Sequence, residues 1–541
     1  MDRVMRERSE TGGNRASSPL CAIVIFALAF CLRTEAQRVV TSQYDNARTG
    51  ANLHETRLTP RNVNAQQLGK LFTLHVDGEV YAQPLFVSGV EIPGKGRHDV
   101  LFVVTEHDSV YALDAYRDGP PLWQVSFVKD GETAVPADDV QCPFIAPDVG
   151  ITSTPVIDAE SGTLYVLART RGPRVLLAPT YYQRLHALAI STGEEKFSGP
   201  VEIQASMSGS GRGSSNGKLV FNPLRDNPRA AMLLNNGVVY LTWASSCDVG
   251  PYHGWVMAYD ARSLKQKAVF NASPDGDDSG IWGGDTGPAA DGSGNIFVST
   301  GNGRFDVSKG GRDYGDTLLK LDGQSLKVSD YFAPSNVDAL DASDSDLGSG
   351  GPTLLPDQPG AHPHLATVEG KGGVLYLVDR DHMGHWQPAN DSHAVQTMPL
   401  PGGVFGAMTY WNHYLYVLSD SDSLREFEVK DGKLSLKAKS ANTFSGVSAT
   451  PIVSANGAQD GVVWLLQSKG WNSPDKSAVL YAYDANDVSH ELYDSNQNVA
   501  RDHAGVALRF NIPTVVNGHV YVGARQEIDV YGLLPTAGAV K

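Results

Sequence analysis

Two side chains stand out in a glycine-rich stretch between residues 280 and 306. Trp282 and Asn302 lie among residues that have little or no side chain. An indole is the broadest aromatic surface a side chain offers, so Trp282 could support a flat ring system. The amide oxygen of Asn302 is a group that calcium accepts as a ligand. The alternatives are that Trp282 packs between secondary-structure elements and that Asn302 is a left-handed turn residue.

Carboxylates and a lysine follow at positions where they could act on a bound molecule. Asp313 and Asp316 lie beside glycines just before an apolar stretch, and Lys371 lies in the sequence "EGKGG". A carboxylate can remove the proton of a hydroxyl group as a general base. An ammonium group can stabilise negative charge that develops during a reaction. The alternatives are that both aspartates are turn residues and that Lys371 is a solvated hairpin lysine.

A repeat must position these residues. A stretch with small residues before a proline, or before an equivalent residue, recurs about every 60 residues. Its central residues are Pro84, Pro155, Met232, Pro288, Pro352, Thr409, Pro451 and Pro513. Two further stretches rich in Val, Leu, Tyr and Phe follow each one, and their alternation predicts β-strands. With a weaker fourth strand, each unit forms an antiparallel sheet, and such sheets bury their faces by packing radially.

The sequence therefore predicts an all-β fold, an eight-bladed β-propeller of four-stranded antiparallel blades. Seven blades are the alternative, if the short sixth unit is not a separate blade. The stretch Lys70–Val76 precedes the first unit, and we expect it to complete the last blade, because an open row of sheets would leave exposed edges. Gly283, Gly284 and Gly287 are expected where the innermost strands crowd the axis.

The beginning of the chain resembles an export signal. A basic start precedes the apolar stretch Leu20–Leu32, which is too short to span a bilayer, and Ala36 is a small residue at the cleavage position. We expect a signal peptide at 1–36 and a single propeller domain at 37–541, periplasmic or extracellular, with an uncleaved anchor as the alternative. Cys142 and Cys247 then remain, and an oxidising compartment favours one disulfide between them.

Several other functions are excluded by composition or spacing. A net charge of −16 over 541 residues argues against nucleic-acid binding, which needs a basic face. The glycine-rich segment Gly209–Gly217 lacks the strand and helix that flank a phosphate-binding loop. The acidic segment Asp338–Asp346 does not have the spacing of a helix–loop–helix calcium site, and we expect it to be a surface loop. We find no Ser-His-Asp signature and no zinc-site spacing.

The stretches "SVYALDA" and "VLYLVDRD" resemble the repeats of quinoprotein alcohol dehydrogenases. Those proteins are eight-bladed propellers that hold pyrroloquinoline quinone and a calcium ion. The resemblance implies that the quinone lies flat on Trp282 and that Asn302 ligates calcium. It further implies that Asp313 is the general base and touches calcium, and that Lys371 contacts the quinone oxygens.

A third similar segment is "WASSCDVGPYHGW". Ser245 and Ser246 match a turn of small residues at the cofactor, and Asp248 stands near the position of a glutamate that ligates calcium in the family. The chain departs from the family elsewhere. The adjacent cysteine pair of the family is absent, an arginine is replaced by Val149, and a glutamate of the first inner strand is replaced by Tyr81.

Two functions are consistent with these residues. The first is an exported oxidoreductase that oxidises an alcohol, sugar or aldehyde with the bound quinone and passes electrons to a separate acceptor, without nucleic acid or a membrane span. The second is a non-catalytic binding or assembly propeller that has lost the cofactor, as in the bacterial outer-membrane assembly lipoprotein. Trp282, Asn302, Asp313 and Lys371 favour the first function, and the departures from the family favour the second.

Overall fold

The alternating stretches of the repeat form strands, and each of the eight sequence units forms a sheet of its own. The computed structural model describes residues 37–535 except 130, 176–177, 285 and 446–448. The predicted signal peptide at 1–36 lies outside these residues. Within the described part of the chain, no helix is long and apolar enough to cross a membrane.

The first four sheets are numbered here in chain order. Sheet 1 consists of Arg38–Val39, Leu85–Ile92, Gly96–Val104, Ser109–Asp114 and Trp123–Ser126. Sheet 2 consists of Val156–Asp158, Thr163–Val175, Ala178–Ala189 and Val201–Glu202, extended by Thr133–Pro136 and Asp148–Val149. Sheet 3 consists of Leu233–Asn235, Val238–Thr242, Trp255–Asp260 and Gln266–Asn271. Sheet 4 consists of Ala289–Ala290, Asn295–Ser299, Leu318–Asp322, Val328–Ala333 and His385–Trp386.

The other four sheets follow the same order of strands. Sheet 5 consists of Thr353–Leu354, Leu365–Glu369, Val374–Asp379 and Gln396–Pro399. Sheet 6 consists of Thr409–Trp411, Tyr414–Val417, Asp422–Lys430 and Lys433–Phe444. Sheet 7 consists of Ile452–Asn456, Gln459–Gln467, Val479–Asp484 and Glu491–Asp494, with Ala51–Asn52 added in parallel. Sheet 8 consists of Thr514–Val516, His519–Leu533 and Leu68–Glu79.

Short elements lie in the connections between these sheets. One is a hairpin of Ser206–Ser208 and Lys218–Val220. The α-helices are Ala137–Val140, Val337–Ala342 and Val499–Asp502. The 3₁₀ helices are Val307–Lys309, Leu347–Ser349 and Ser495–Asn498. All of these helices span six residues or fewer, so the strands determine the architecture.

The sheet that joins the two ends of the chain has three strands and contains the predicted stretch. Leu68–Glu79 pairs antiparallel with His519–Leu533, and its register places Lys70 opposite Tyr531 and His75 opposite Glu527. The prediction that Lys70–Val76 completes the last sheet is therefore confirmed. The pairing covers an edge of sheet 8 that would otherwise be open to other strands.

Hydrophobic clusters lie between neighbouring sheets. The residues of each cluster come from two adjacent sheets in chain order, from sheets 2 and 3 through sheets 7 and 8. One further cluster joins sheet 1 to sheet 2 and also to sheet 8, through residues such as Phe86, Ile157 and Ile528. The sheets thus pack face to face in a closed circle, because each amphipathic sheet buries both faces against its neighbours.

An irregular segment of turns and bends, Val40–Gly50, runs across the inner strands. Its carbonyl oxygens accept the N–H groups of inner-strand residues in sheets 2, 4, 5, 6 and 7, namely Ile157, Ala290, Leu354, Tyr410 and Val453. The side chain of Asn46 also donates to Leu234 of sheet 3. Arg48 is fully buried and donates to the carbonyls of Met232 and Pro288. We call Val40–Gly50 the axial segment.

Glycines occur where the chain passes the inner strands at close range. A Cβ atom on Gly284 would overlap the carbonyl oxygen of Phe405, and one on Gly287 would overlap that of Ala231. Gly283 and Gly284 also have φ angles of 58° and 44°, which side chains disfavour. The expectation that these glycines lie where strands crowd the axis is confirmed.

Candidate functional site

The candidate site is a cavity of about 270 Å³ beside the starts of the inner strands. Five of the seven site residues predicted from the sequence line it, namely Ser245, Ser246, Asp248, Trp282 and Lys371. They are brought together because the second strand of each sheet ends where the innermost strand begins, at one edge of the circle. Asp344 and Asp346 also line the cavity. Its volume is close to the lower limit of ligand pockets, about 300 Å³.

Trp282 lies in the connection before sheet 4 and has one edge buried. Its ring meets the ring of Tyr252 edge to face, with the centroids 6.1 Å apart. Its Nε1 atom is buried and has no hydrogen-bond partner among residues 37–535 as described. Gly301 provides the space behind this edge, since a Cβ atom there would lie 2.7 Å from Nε1 and would overlap Asp346. Trp282 therefore contributes to the cavity wall as well as to packing.

Asn302 does not line the cavity itself but holds two residues that do. Its backbone N–H donates to Asp346 Oδ1 at 2.8 Å, and its Nδ2 donates to Asp344 Oδ1 at 2.8 Å. Asn302 does not have a positive φ angle, so the alternative of a left-handed turn residue is wrong. Its Oδ1 atom is buried without a hydrogen-bond partner in the described part of the protein.

Lys371 follows the second strand of sheet 5 and forms ion pairs inside the site. Its Nζ atom lies 2.5 Å from Asp346 Oδ2 and 2.9 Å from Asp344 Oδ1. Burial opposes the charge of Lys371, but these two carboxylates more than offset it and raise its pKa. Only 25% of the side chain is exposed, so Lys371 is not a solvated hairpin lysine.

The acidic segment that ends at Asp346 is the residue set that sequence reasoning missed. The expectation of a surface loop is wrong for Asp346, whose side chain is 4% exposed. The α-helix Val337–Ala342 precedes Asp346 in this segment, and the 3₁₀ helix Leu347–Ser349 follows Asp346 directly. The acidic and small residues of this segment are typical of a solvated loop. Only the proximity of Lys371 in the structure shows that Asp346 belongs to the cavity instead.

Asp248 stands at the wall formed by the connection that follows the second strand of sheet 3. Its Oδ1 atom accepts the hydroxyl of Tyr252 at 2.8 Å, and its N–H donates to Ser245 Oγ at 2.9 Å. Burial raises the pKa of Asp248, and the charges of Asp346 and Asp344 raise it further. Asp248 can therefore hold a proton more readily than an exposed aspartate.

The structure does not bring Asp313 to the cavity. Asp313 is buried, accepts the N–H of Asp275 at 2.9 Å, and lies 3.5 Å from Arg304 Nε. Burial raises its pKa. Asp316 is also buried and accepts the N–H of Leu347 at 2.8 Å, directly after Asp346. Of Asp248, Asp313 and Asp316, only Asp248 lines the cavity.

A disulfide forms another part of the wall. Cys142 and Cys247 are bonded, with Cα atoms 5.5 Å apart, which confirms the prediction. The bond ties the segment after the helix Ala137–Val140 to the turn that carries Ser246 and Asp248. Val149, which replaces the family arginine, is buried beside it in a small apolar cluster.

Aromatic rings and two arginines complete the lining. Phe144, Arg229, Phe405, Arg509 and Phe510 all border the cavity. The tyrosine that replaces the family glutamate, Tyr81, donates its hydroxyl to the carbonyl of Phe144 at 3.1 Å and so supports this side.

Comparison with known proteins identifies the fold. No protein-family model and no curated protein matches the sequence. The structure is similar over 92% of this chain to the quinohemoprotein alcohol dehydrogenase of Comamonas testosteroni, with a TM-score of 0.62, 15% identity and 80% of that chain covered. The chain has the fold of the quinoprotein alcohol dehydrogenases. The predicted all-β propeller is thereby confirmed.

Two further solved structures agree with this fold. Alcohol dehydrogenase ADHIIG of Pseudomonas putida HK5, also a quinohemoprotein, has a TM-score of 0.62 and 14% identity, with 92% of this chain and 81% of that chain covered. A europium-containing methanol dehydrogenase has a TM-score of 0.58 and 13% identity, with 92% of this chain and 98% of that chain covered. At these identities the similarity establishes the propeller fold alone. The chemistry has to be inferred from the residues of the candidate site.

Proposed function

We propose that the protein is an exported oxidoreductase that binds pyrroloquinoline quinone in this cavity and oxidises an alcohol, a sugar or an aldehyde. One observation carries the proposal. Residues selected from separate parts of the sequence, from Ser245 to Lys371, line a single cavity. The proteins of similar structure are alcohol and methanol dehydrogenases, which supports the same class of reaction.

The cavity suits a flat, negatively charged molecule. Trp282 offers an aromatic face, and its buried Nε1 atom is a donor without a protein partner in the described residues. Lys371 supplies a positive charge, and so do the two arginines of the wall. When bound, the quinone would supply a hydride acceptor, which takes two electrons and one proton from the substrate carbon.

Asp346 is the carboxylate best placed to take the substrate's hydroxyl proton. Its Oδ1 atom is held by the N–H of Asn302, and its Oδ2 atom faces Lys371, so the group is fixed in orientation. A positioned carboxylate of this kind contributes about 10²–10⁴-fold to a rate. We assign this role to Asp346 rather than to Asp313, because Asp313 does not line the cavity.

Calcium fits this arrangement less well than the quinone does. Calcium takes about six to eight oxygen ligands. Asn302 Oδ1 is a buried acceptor without a protein partner among the described residues, but Lys371 already pairs with Asp346 and Asp344. Asp313 does not line the cavity, and no cluster of three or more His, Cys, Asp or Glu side chains in the described residues is arranged to hold a metal. We therefore route no step through calcium.

The test is a titration of the mature chain, residues 37–541, with pyrroloquinoline quinone, with and without calcium, followed by calorimetry and absorbance. Turnover is then measured for Asp346→Asn and for Asp313→Asn as the matched control. We expect the first substitution to lower turnover by about a hundredfold or more, with quinone binding retained. We expect the second to leave turnover nearly unchanged.

Three results would change the proposal. Absence of quinone binding by the unaltered chain would leave the second function, a non-catalytic binding propeller. A loss of turnover in Asp313→Asn alone would restore the base predicted from the sequence. A strict requirement for calcium in binding would mean that Lys371 moves away from Asp346 to admit the ion.

The proposal includes export and a separate electron acceptor. The disulfide between Cys142 and Cys247 favours an oxidising compartment, in agreement with the signal peptide predicted at residues 1–36. The sequence has no C-x-x-C-H segment for covalent haem, so the electrons must pass to another protein or a diffusible acceptor. Detection of the mature protein outside the cytoplasm, beginning at Gln37, would test the first of these statements.

A further inference from the structure

Two arginines from distant parts of the chain meet on one side of the cavity. Arg229 lies just before the first strand of sheet 3, and Arg509 lies just before the first strand of sheet 8. Phe510 contacts both, with the guanidinium carbons 4.0 Å and 4.5 Å from its ring centroid. The two positive charges are thereby held around a single aromatic ring.

Arg509 has further aromatic neighbours. Its guanidinium carbon lies 4.4 Å from the ring centroid of Phe144 and 4.5 Å from that of Trp471. Stacking against rings fixes the plane of a guanidinium group, while its N–H donors remain in that plane. A planar fork of N–H donors matches the two oxygens of a carboxylate.

The charges of the cavity are segregated. The acidic residues Asp344 and Asp346 surround Lys371, and Asn302 holds both of them. The arginines surround Phe510 instead. A ligand that fills the cavity therefore meets guanidinium groups in one part and an ion-paired lysine in another.

We infer that Arg229 and Arg509 form a carboxylate-binding subsite, which takes the carboxylates of the ligand that lies on Trp282. The inference rests on the proposed function in so far as that ligand is the quinone, which is a tricarboxylate. Val149, which stands where the quinoprotein alcohol dehydrogenases have an arginine, is apolar and buried, so the positive charge on this side of the cavity comes from Arg229 and Arg509. The carboxylate could alternatively belong to a substrate acid, and the experiment separates these sources.

The experiment compares Arg229→Gln and Arg509→Gln with the unaltered mature chain. Binding of pyrroloquinoline quinone, of its trimethyl ester and of benzene tricarboxylate is measured by calorimetry. Arg117→Gln is the control, because Arg117 is an exposed arginine paired with Asp114 elsewhere. Arg509→Lys, checked by circular dichroism, keeps the charge without the planar fork and covers the case in which Arg509→Gln does not fold.

We expect each arginine-to-glutamine substitution to weaken quinone binding by about 10- to 100-fold, the scale of hydrogen bonds to charged groups. The ester should bind weakly to the unaltered chain and should respond little to the substitutions. Higher salt should weaken binding of the acid more than binding of the ester. The control should bind like the unaltered chain.

Each other outcome has a definite meaning. Equal quinone affinity in all variants overturns the quinone subsite and leaves the proposed function standing. If the same variants raise KM for hydroxy acids alone, the subsite binds the carboxylate of the substrate instead. Equal losses for acid and ester overturn carboxylate recognition. Arginine-dependent binding of benzene tricarboxylate without quinone binding keeps the subsite and refutes the proposed function. If neither molecule binds, both proposals are refuted.

Discussion

Glu106 follows the second strand of sheet 1, Gly96–Val104, and is a carboxyl group whose burial favours the neutral form. It is fully buried, and burial raises its pKa from 4.5 to about 8, against the opposing effect of hydrogen bonds from Gly150 and Thr152. Both bonds end on Oε2, at 2.8 Å and 3.0 Å, so the carbonyl oxygen of a glutamine could accept them as well. Glu106→Gln therefore removes the ionisation with little change in shape.

The sign and size of the effect follow from linkage. Between pH 4.5 and about 8 the folded chain keeps the Glu106 proton and the unfolded chain loses it, so stability falls as the pH rises through this window. The slope is about 1.4 kcal/mol per pH unit. From pH 5 to pH 7 the folded protein therefore loses about 3 kcal/mol through Glu106. The Glu106→Gln variant has no carboxyl proton at this position. Its free energy of unfolding relative to that of the unaltered chain therefore rises by about 3 kcal/mol from pH 5 to pH 7.

The assay is thermal and urea unfolding at pH 5 and pH 7. With an unfolding entropy of about 2 cal/mol/K per residue and about 500 residues, 3 kcal/mol corresponds to a Tm shift of about 3 °C. Glu160→Gln is the control, because Glu160 is exposed. If Glu106→Gln changes the Tm equally at both pH values, or lowers it more at pH 7, then Glu106 is ionised in the folded protein and the reasoning fails.

Three further predictions concern the disulfide, the axis and the cavity. Replacement of Cys142 and Cys247 by Ser should destabilise the protein by about 4 kcal/mol in unfolding experiments, since the bond closes a loop with a sequence separation of 105; an unchanged Tm would contradict this. Arg48→Met should lower the free energy of unfolding by about 3 kcal/mol or more in urea titration, because it leaves buried carbonyl acceptors unpaired, and a clearly smaller loss would contradict this. Gly301→Ala should displace Trp282 or Asp346 and abolish quinone binding, whereas Gly292→Ala, which has open space, should bind normally in the same titration.

The repeat was sufficient to predict the strands, because alternation and small residues before a proline are local properties. Closure by Lys70–Val76 was predictable as well, since the last sheet of a ring needs a further strand and this strand-like stretch belongs to none of the eight units. The axial segment was not predictable. Its residues, such as Gln43 and Arg48, are polar, and their burial depends on carbonyl groups that only the assembled ring presents.

The candidate site likewise contains residues that could be predicted from the sequence and residues that could not. Trp282 and Lys371 could be selected because their residue types are uncommon in glycine-rich turns, and both line the cavity. Asp346 could not be distinguished from its neighbours, since Asp338, Asp341 and Asp344 lie in the same short segment. Arg509 lies about 140 residues beyond Lys371, and nothing in its local sequence indicates that it approaches Arg229.

The axial segment has a consequence for the order of assembly. Val40–Gly50 is hydrogen-bonded to the inner strands of sheets 2 to 7, so these hydrogen bonds can form only after those sheets have packed together. The strand Leu68–Glu79 likewise finds its partner only when the last strand of the chain, His519–Leu533, has been made. Because a chain is synthesised from its amino terminus, these residues emerge before the sheets that they join and are among the last to form their native contacts, and until then they must remain solvated. The hydrophilic sequence of this segment, which includes Arg48, meets that requirement before folding and supplies hydrogen bonds of the axis afterwards.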